Sequence, residues 1–205
     1  MVLLHIDISI VVELVYRIIM FFLKPISDEV RLAQIIFNKH KKTMKLILGS
    51  IFACIAAILQ ASGGFVPGVG YFISPLVTAP ILLCSMLSIS FGVKSYFLTI
   101  MLLFILQPTE LIVFPFTTGL LGLGIGASFS FFRKRVSIIA TGTILLMLGI
   151  MSLIFIFHFP ILGPAVSDSF SILTTISIIL FAFLYSWLWV EIALVIFKRI
   201  KMIII

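Results

Sequence analysis

Long apolar runs, separated by short polar or basic segments, fill most of the chain from Met44 onward. A helix that crosses a bilayer needs about 20 predominantly apolar residues. Two of the runs meet at Pro108, which breaks them because proline disfavours helix at the residue before it. By this criterion the pattern predicts six spans, at residues 45–62, 72–91, 93–107, 109–131, 136–158 and 169–197.

The composition indicates a membrane protein. Hydrophobic residues make up 62% of the chain, charged residues only 10%, and the mean hydropathy is +1.37. Because a soluble domain has roughly a quarter of its residues charged, a chain this apolar must have a bilayer as its solvent. The net charge of +7 does not indicate a nucleic-acid partner, since the basic residues lie in short clusters between the apolar runs.

The basic residues fall on one side of the predicted membrane domain. Connections between six spans alternate sides, and one side receives the clusters at 39–45, 133–135 and 198–201 together with Lys94, while the other receives no Lys or Arg. The positive-inside rule places the basic side in the cytoplasm. We therefore predict an all-α, multi-pass protein of the cell membrane, whose residues 44–205 form a six-transmembrane-helix bundle with both ends cytoplasmic.

Residues 1–43 have a different pattern and form a separate predicted segment. His5, Ser9, Glu13 and Arg17 recur every four residues and share one helical face, with the last two as an i,i+4 pair. A helix that lies in the membrane interface keeps these side chains out of the hydrocarbon. This favours an N-terminal amphipathic surface helix over a seventh span.

Two further expectations concern the same segment. The sequence SDEV at 27–30 predicts the start of a second short helix, which ends near the basic cluster at 39–45. Asp7 and Glu13 interrupt the first apolar run, so we expect no cleavable signal peptide. A third alternative for residues 1–43 is that translation begins at Met44.

The connections on the side without basic residues contain proline and are partly apolar. The first, GGFVPGVG at 63–70, has too many glycines for an ordinary helix, and its apolar residues predict that it packs against the bundle. Pro75 and Pro80 interrupt the second span and free carbonyl groups that can face a cavity. Apolar walls with a few polar anchors are typical of a small-molecule pocket. We expect an outward-facing pocket here; the alternative is a compact loop that caps the bundle.

The candidate substrate-binding residues lie mainly in these connections and at the outer helix ends. They are Gln60, Phe65, Tyr71, Thr78, Glu110, His158, Asp168 and Trp187. Glu110 and Asp168 are the only acidic residues on the outer side and would attract a cationic group; the alternative is that they are solvated loop ends. A lone histidine such as His158 is more often packed or interfacial than a ligand.

Small residues recur every four positions in two spans, and such stripes let another helix approach closely. They are Gly49, Ala53 and Ala57 in the first span and Gly119, Gly122 and Gly126 in the fourth. The partner of the first stripe is either a helix of this chain or a separate subunit. The second stripe includes GLGIG, which lies within an apolar helix and follows no strand, so it does not indicate a phosphate loop.

The predicted spans also contain a few ionisable and sulfur-containing residues. Glu191 is a functional candidate by position, although an ion pair with Lys94 or Lys198 is the favoured interpretation. Cys54 and Cys84 lie inside apolar runs, so we expect packing residues and neither a metal site nor a cofactor.

An intramembrane enzyme is disfavoured, and we expect no catalytic residues. The sequence has no HExxH or paired acidic motif, and Ser128 has no histidine at a comparable depth. A non-catalytic scaffold or sensor is the alternative to a binding function. In either case the partners include membrane lipid but no nucleic acid.

Residues 44–205 resemble the substrate-binding (S) subunits of energy-coupling-factor (ECF) vitamin transporters. The six spans, their orientation, the outer connections and ACIAA at 53–57, which has the AxxxA spacing of that family's first helix, carry the resemblance. It implies capture of a vitamin or other micronutrient from outside, through the outer connections and helix ends. It also implies that the first stripe docks on a transmembrane coupling subunit that works with ATPases. The segment before Met44 departs from the simplest family pattern.

Overall fold

The structure is a computed structural model that describes residues 28–66, 68–159 and 172–204, and the single positions Glu13, Tyr16, Arg17, Met20 and Phe22. The described residues form helices and turns, and none of them belongs to a β-strand. In chain order the helices are α1 Asp28–Lys39, α2 Lys42–Phe65, α3 Gly70–Ile73, α4 Thr78–Leu87, α5 Ile89–Leu106, α6 Glu110–Phe116, α7 Thr118–Phe131, α8 Arg135–Phe155 and α9 Ile172–Ile204. A 3₁₀-helix at Ser74–Val77 joins α3 to α4.

Six helical segments in the described ranges are long and apolar enough to cross a membrane, which confirms the predicted number of spans. They are Lys42–Phe65, Gly70–Leu87, Ile89–Leu106, Glu110–Phe131, Arg135–Phe155 and Thr174–Arg199. The second span ends at Leu87 and not at residue 91, because Ser88 adopts extended backbone, with φ −164° and ψ 132°. The break gives the third span a start at Ile89 and a length of 18 residues.

Helix α4 lies at the centre of the bundle, in contact with α2, α5, α7 and α9. All of its side chains from Ile81 to Leu87 are buried. Helix α7 packs closest to it through the second small-residue stripe: a Cβ added at Gly126 would lie 2.6 Å from Leu82 O, and one at Gly122 would lie 2.8 Å from Thr78 O. The predicted close packing of this stripe is confirmed at these two glycines.

The connection between the first two spans differs from the prediction. Helix α2 continues through Gly63 and Gly64 to Phe65, so the expectation that GGFVPGVG cannot be helical is wrong for its first three residues. Glycine is tolerated in a membrane helix where neighbouring groups pack against the exposed backbone, and here the Gln107 side chain packs on Gly64. The turn follows at Gly68, whose φ of +81° favours glycine.

The apolar side chains of this connection lie on the outside of the bundle. Phe65 is 64% exposed, Val66 45% and Val69 59%. The prediction that they pack against the bundle is therefore wrong. The physical reason is that lipid is as apolar as the protein interior, so an apolar residue near a membrane gains little by turning inward.

Helix α1 packs on the basic end of the bundle. Its bounds confirm the predicted second short helix. Val30, Ala33 and Phe37 are buried in the main hydrophobic cluster. Gln34 donates hydrogen bonds from Nε2 to Met86 O, at 2.7 Å, and to Ser130 Oγ, at 3.1 Å. Although it belongs to the predicted segment 1–43, α1 contributes directly to the packing of the bundle.

The predicted i,i+4 pair before α1 is also present. Arg17 Nη2 lies 2.8 Å from Glu13 Oε1, and both side chains are mostly exposed. His5 and Ser9, which complete the predicted polar face, lie outside the described residues. Whether residues 1–43 lie on the membrane or cross it therefore stays a prediction.

Candidate functional site

Three polar side chains meet inside the bundle at the end opposite the basic clusters. Gln60, on α2, is only 1% exposed and donates a hydrogen bond from Nε2 to Glu110 Oε2 at 2.6 Å. Its other amide atom, Oε1, accepts a hydrogen bond from Thr118 Oγ1 at 3.1 Å. Glu110 begins α6 and Thr118 begins α7, so this polar network joins the first span to the fourth.

The second carboxylate oxygen of Glu110 faces Gly63 and Ser74. A Cβ added at Gly63 would lie 3.6 Å from Glu110 Oε1 and 3.6 Å from Ser74 Oγ. The missing side chain of Gly63 thus leaves space between the carboxylate and the serine hydroxyl. Gln107 lies close by, where it donates a hydrogen bond to Thr109 Oγ1 at 3.0 Å.

Glu110 has no cationic neighbour among the residues that the structure describes. Within the described part of the chain, the ion pairs join Arg17 to Glu13 and Arg135 to Glu191, and no cationic side chain pairs with Glu110. The Gln60 amide satisfies one carboxylate oxygen without neutralising it. A partly buried carboxylate in this state favours a cation or a strong hydrogen-bond donor as its ligand.

The interrupted second span forms another polar contact deeper in the bundle. The Pro75 carbonyl accepts a hydrogen bond from the Tyr185 hydroxyl, on α9, at 3.4 Å. Thr78 Oγ1 and Trp189 Nε1 lie beside the same hydroxyl, buried and without a hydrogen-bond partner of normal geometry among the described residues. Pro75 O also accepts a backbone hydrogen bond from the Thr78 N–H, so it is not a carbonyl freed by the break. The expectation that the proline breaks free carbonyls to face a cavity stays a prediction.

The predicted substrate-binding residues do not converge on one point. Gln60 and Glu110 are in direct contact, and Thr78 is buried separately between α4 and α9. Phe65 and Tyr71 lie on the outer surface. Thus only two of these five residues form a single cluster.

The remaining candidates lie elsewhere. His158 is exposed beyond the end of α8 and has a φ of +51°. Trp187 is 37% exposed and packs against Phe22, with ring centroids 6.3 Å apart. Asp168 lies outside the described residues. None of the described members of this group touches the polar network of Gln60, Glu110 and Thr118.

Sequence reasoning missed Thr118 and Ser74. The available signal for Thr118 was its place after Pro115 and Thr117, where a polar pair interrupts an apolar run. Ser74 likewise precedes Pro75. In both cases the serine or threonine lies beside a proline break, where backbone irregularity at membrane depth brings polar groups together.

The first small-residue stripe is buried inside the chain. Ala53 and Ala57 have no exposed surface, and α2 packs against α5. Ser95 Oγ donates to Gly49 O at 3.4 Å, and Thr99 Oγ1 approaches Ala53 O at 3.5 Å. Of the two partners that the stripe allows, the structure shows the one within the chain. Docking of a separate subunit on this helix stays a prediction.

Glu191 takes part in a structural ion pair, as expected, but with a different partner. Its Oε1 lies 2.8 Å from Arg135 Nη1, at the first residue of α8. The prediction of Lys94 or Lys198 as the partner is wrong. Glu191 lies on α9, and α9 packs directly against α8, which carries Arg135. This pair joins the fifth span to the sixth at the basic end.

Comparisons with protein families, with characterised proteins and with solved structures find no match for this chain. The likeness to ECF S subunits therefore remains a resemblance of sequence pattern. In the described ranges, no group of three or more His, Cys, Asp and Glu side chains is placed to hold a metal ion. The function is accordingly argued from the polar network and the arrangement of the spans.

Proposed function

We propose that the protein is an integral membrane subunit that captures a small molecule at the non-basic end of its bundle, for uptake into the cell. The polar network of Gln60, Glu110 and Thr118 is the observation that carries this proposal. It presents a carboxylate without a cationic partner among the described residues, at the end of a bundle of six candidate membrane-spanning helices.

The network favours a particular class of substrate. Glu110 Oε2 already accepts the Gln60 amide, whereas Oε1 faces the space beside Gly63 and Ser74. A ligand with a protonated amine or another cationic N–H group would pair with that oxygen and donate a second hydrogen bond to Ser74 Oγ. We therefore propose a cationic micronutrient, of vitamin size, as the substrate.

The orientation of the bundle supports uptake from outside. The basic residues gather at the end where α2, α5 and α8 begin, and the positive-inside rule assigns that end to the cytoplasm. The polar network then faces the environment, with both ends of the six-span unit inside. This is the arrangement of the ECF S subunits that residues 44–205 resemble.

The resemblance also supplies the proposed partners, a transmembrane coupling subunit and ATPases, and a role without catalysis. A subunit of this kind binds its substrate but does not move it alone. The alternative function, a non-catalytic scaffold or sensor, makes no use of the Glu110 carboxylate. Substitution of that residue therefore separates the two functions.

The proposal is tested by ligand binding to the full-length protein in lipid nanodiscs. Isothermal titration with cationic, neutral and anionic vitamins and micronutrients is expected to show saturable binding of a cationic compound. Glu110→Gln keeps the shape but removes the charge, so it should weaken that binding by about 10-fold or more, the value of one charge-assisted hydrogen bond.

Glu13→Gln is the matched control, because Glu13 is an exposed carboxylate on the helical segment before α1. It should leave the affinity unchanged. If no compound in the panel binds saturably, the proposed capture function is wrong. If the wild type and Glu110→Gln bind the compound with equal affinity, the polar network is not part of the binding site.

A further inference from the structure

A cavity of about 370 Å³ opens at the basic end of the bundle, between α1, α2 and α5. Three lysines line it: Lys42 and Lys45 from the first turn of α2, and Lys94 from the second turn of α5. Asn38, Ser88 and Ser90 add polar groups to the lining. Its volume lies within the range of small-ligand pockets, roughly 300–1,000 Å³.

Close packing around the cavity defines its walls. A Cβ added at Gly49 would lie 2.8 Å from Phe91 Cε2 and 3.2 Å from Ser95 Oγ, so α2 and α5 are in contact at that depth. Gly49, Phe91 and Ser95 themselves line the cavity, which extends from the first turns of both helices to this contact. Asn38 of α1 lines a third side, and α1 is held there by Phe37, which packs on Phe91 with ring centroids 5.0 Å apart.

The cavity carries positive charge that no described side chain neutralises. The ion pairs within the described residues involve Glu13 and Glu191, which pair with Arg17 and Arg135 and not with these lysines. Lys45 Nζ donates one hydrogen bond to Asn38 O, at 2.9 Å, which leaves its other two N–H donors. Three lysines in one cavity repel one another unless an anion joins them.

The backbone at the cavity also favours an anionic ligand. Helices α2 and α5, of 24 and 18 residues, both begin at the cavity. The first turns of a helix present unpaired N–H groups and the positive end of the helix dipole, which together favour an anion such as phosphate. The lysines and both helix starts thus select the same kind of ligand.

The rim of the cavity opens toward the lipid-facing surface. Leu46 and Leu98 line it, and they are 60% and 36% exposed on the outside of two candidate membrane spans. A ligand with its phosphate among the lysines could extend an apolar part along these side chains. An amphiphile fits this combination of lysines at the mouth of the cavity and an apolar rim beside them.

We propose that the cavity between α1, α2 and α5 binds a phosphate group, carried by an anionic phospholipid of the adjacent leaflet. Lys42, Lys45 and Lys94 hold the phosphate, and the acyl chains lie along Leu46 and Leu98. This site is at the opposite end from the polar network and does not depend on the proposed substrate. A lipid bound there would contact both α1 and the first turns of α2 and α5, and so would hold α1 against these two spans.

The test uses the full-length protein, purified and delipidated in a mild detergent, with binding followed by native mass spectrometry. The probes are dioctanoyl phosphatidylglycerol, dioctanoyl phosphatidylcholine, glycerol 3-phosphate and inorganic phosphate. We expect phosphatidylglycerol to bind at least 10-fold more tightly than the other three. The triple variant K42Q/K45Q/K94Q should weaken its binding on the order of 100-fold, since each lysine near an anionic headgroup contributes roughly fivefold.

The matched control is R133Q/K134Q/K198Q, which removes three exposed charges from the same end of the bundle but none from the cavity. It should change the affinity less than about threefold, in line with diffuse charge attraction alone. Ser50→Trp fills the cavity without altering the charge, and it should also weaken lipid binding.

Several outcomes would overturn the proposal. If the two triple variants lose equal amounts of affinity for phosphatidylglycerol, the lipid is attracted by net charge and has no specific site in the cavity. Undiminished binding in Ser50→Trp would place the lipid outside the cavity. Inorganic phosphate that binds as tightly as the lipid, and displaces it, would identify a site for free phosphate and overturn the assignment to a phospholipid. Thermal unfolding of each variant checks that it is folded.

Discussion

Gly122 and Gly126 bring the backbone of α7 against the backbone of α4. The atoms that a Cβ at Gly126 would meet include Leu82 O and Met86 N, at 2.6 and 2.9 Å, which are backbone atoms of the central helix and cannot rotate away. Gly124, on the same helix, meets instead the end of the Leu145 side chain. A single methyl group should therefore have different consequences at two glycines only two residues apart.

Gly126→Ala is expected to destabilise the protein by about 1–3 kcal/mol, the usual cost of overpacking. Gly124→Ala is the control: Leu145 can change rotamer, and alanine favours helix more than glycine does, so the change should be close to zero. Thermal unfolding of both variants in the same detergent measures the difference. Equal shifts in the melting temperature would contradict the backbone contact between α4 and α7.

Helix α1 is the element whose role the span pattern does not reveal. It lies outside the six candidate spans, yet it places Phe37 in the main core, 3% exposed, between Phe91 and Lys45. Its contacts reach the C-terminal end of α4 through Gln34. The central span is therefore capped by a helix from the predicted N-terminal segment.

Phe37→Ala should cost about 3–5 kcal/mol, as expected for a large aromatic side chain removed from a core. Leu32→Ala, on the same helix, is the control, because Leu32 is 50% exposed and should cost less than about 1 kcal/mol. Hydrogen exchange of the α1 amides, together with thermal unfolding, reports the effect. If the amides of α1 exchange equally in both variants, Phe37 does not anchor the helix.

The sequence predicted where the spans lie better than it predicted which side chains of each element point into the bundle and which point outward. Length and hydropathy locate a span because the bilayer imposes both. The direction of Phe65 or Tyr71 could not be predicted, since lipid and protein interior are equally apolar. The helix through Gly63 and Gly64 was missed for a related reason: it depends on Gln107, which lies more than 40 residues away along the chain.

The candidate site was partly predictable on similar grounds. Gln60 and Glu110 stand out because they are polar at the ends of apolar runs, and the structure brings them together. Thr118 does not stand out, because threonine is common in membrane helices and its role depends on the proximity of α2 and α7. The basic cavity was not predicted at all, since its lysines appear in the sequence as ordinary cytoplasmic anchors.

The molecule as a whole has two chemically different ends. One end holds a carboxylate network within the bundle, and the other holds a basic cavity and a capping helix. The proposed substrate capture depends on which end faces the cytoplasm, because it requires the acidic end outside. The distribution of Lys and Arg predicts this orientation, and accessibility of single cysteines measures it directly.

Val69→Cys and Arg133→Cys, each in a background with Cys54→Ala and Cys84→Ala, place one thiol at each end of the bundle. Val69 is 59% exposed in the turn after α2, and Arg133 is exposed in the turn before α8. In intact cells, a membrane-impermeant maleimide should label Cys at position 69 and leave position 133 unlabelled until the cells are permeabilised. Labelling in the reverse order would place the basic cavity outside and the polar network in the cytoplasm. The network could then not capture a substrate from the environment, and the proposed uptake function would be wrong.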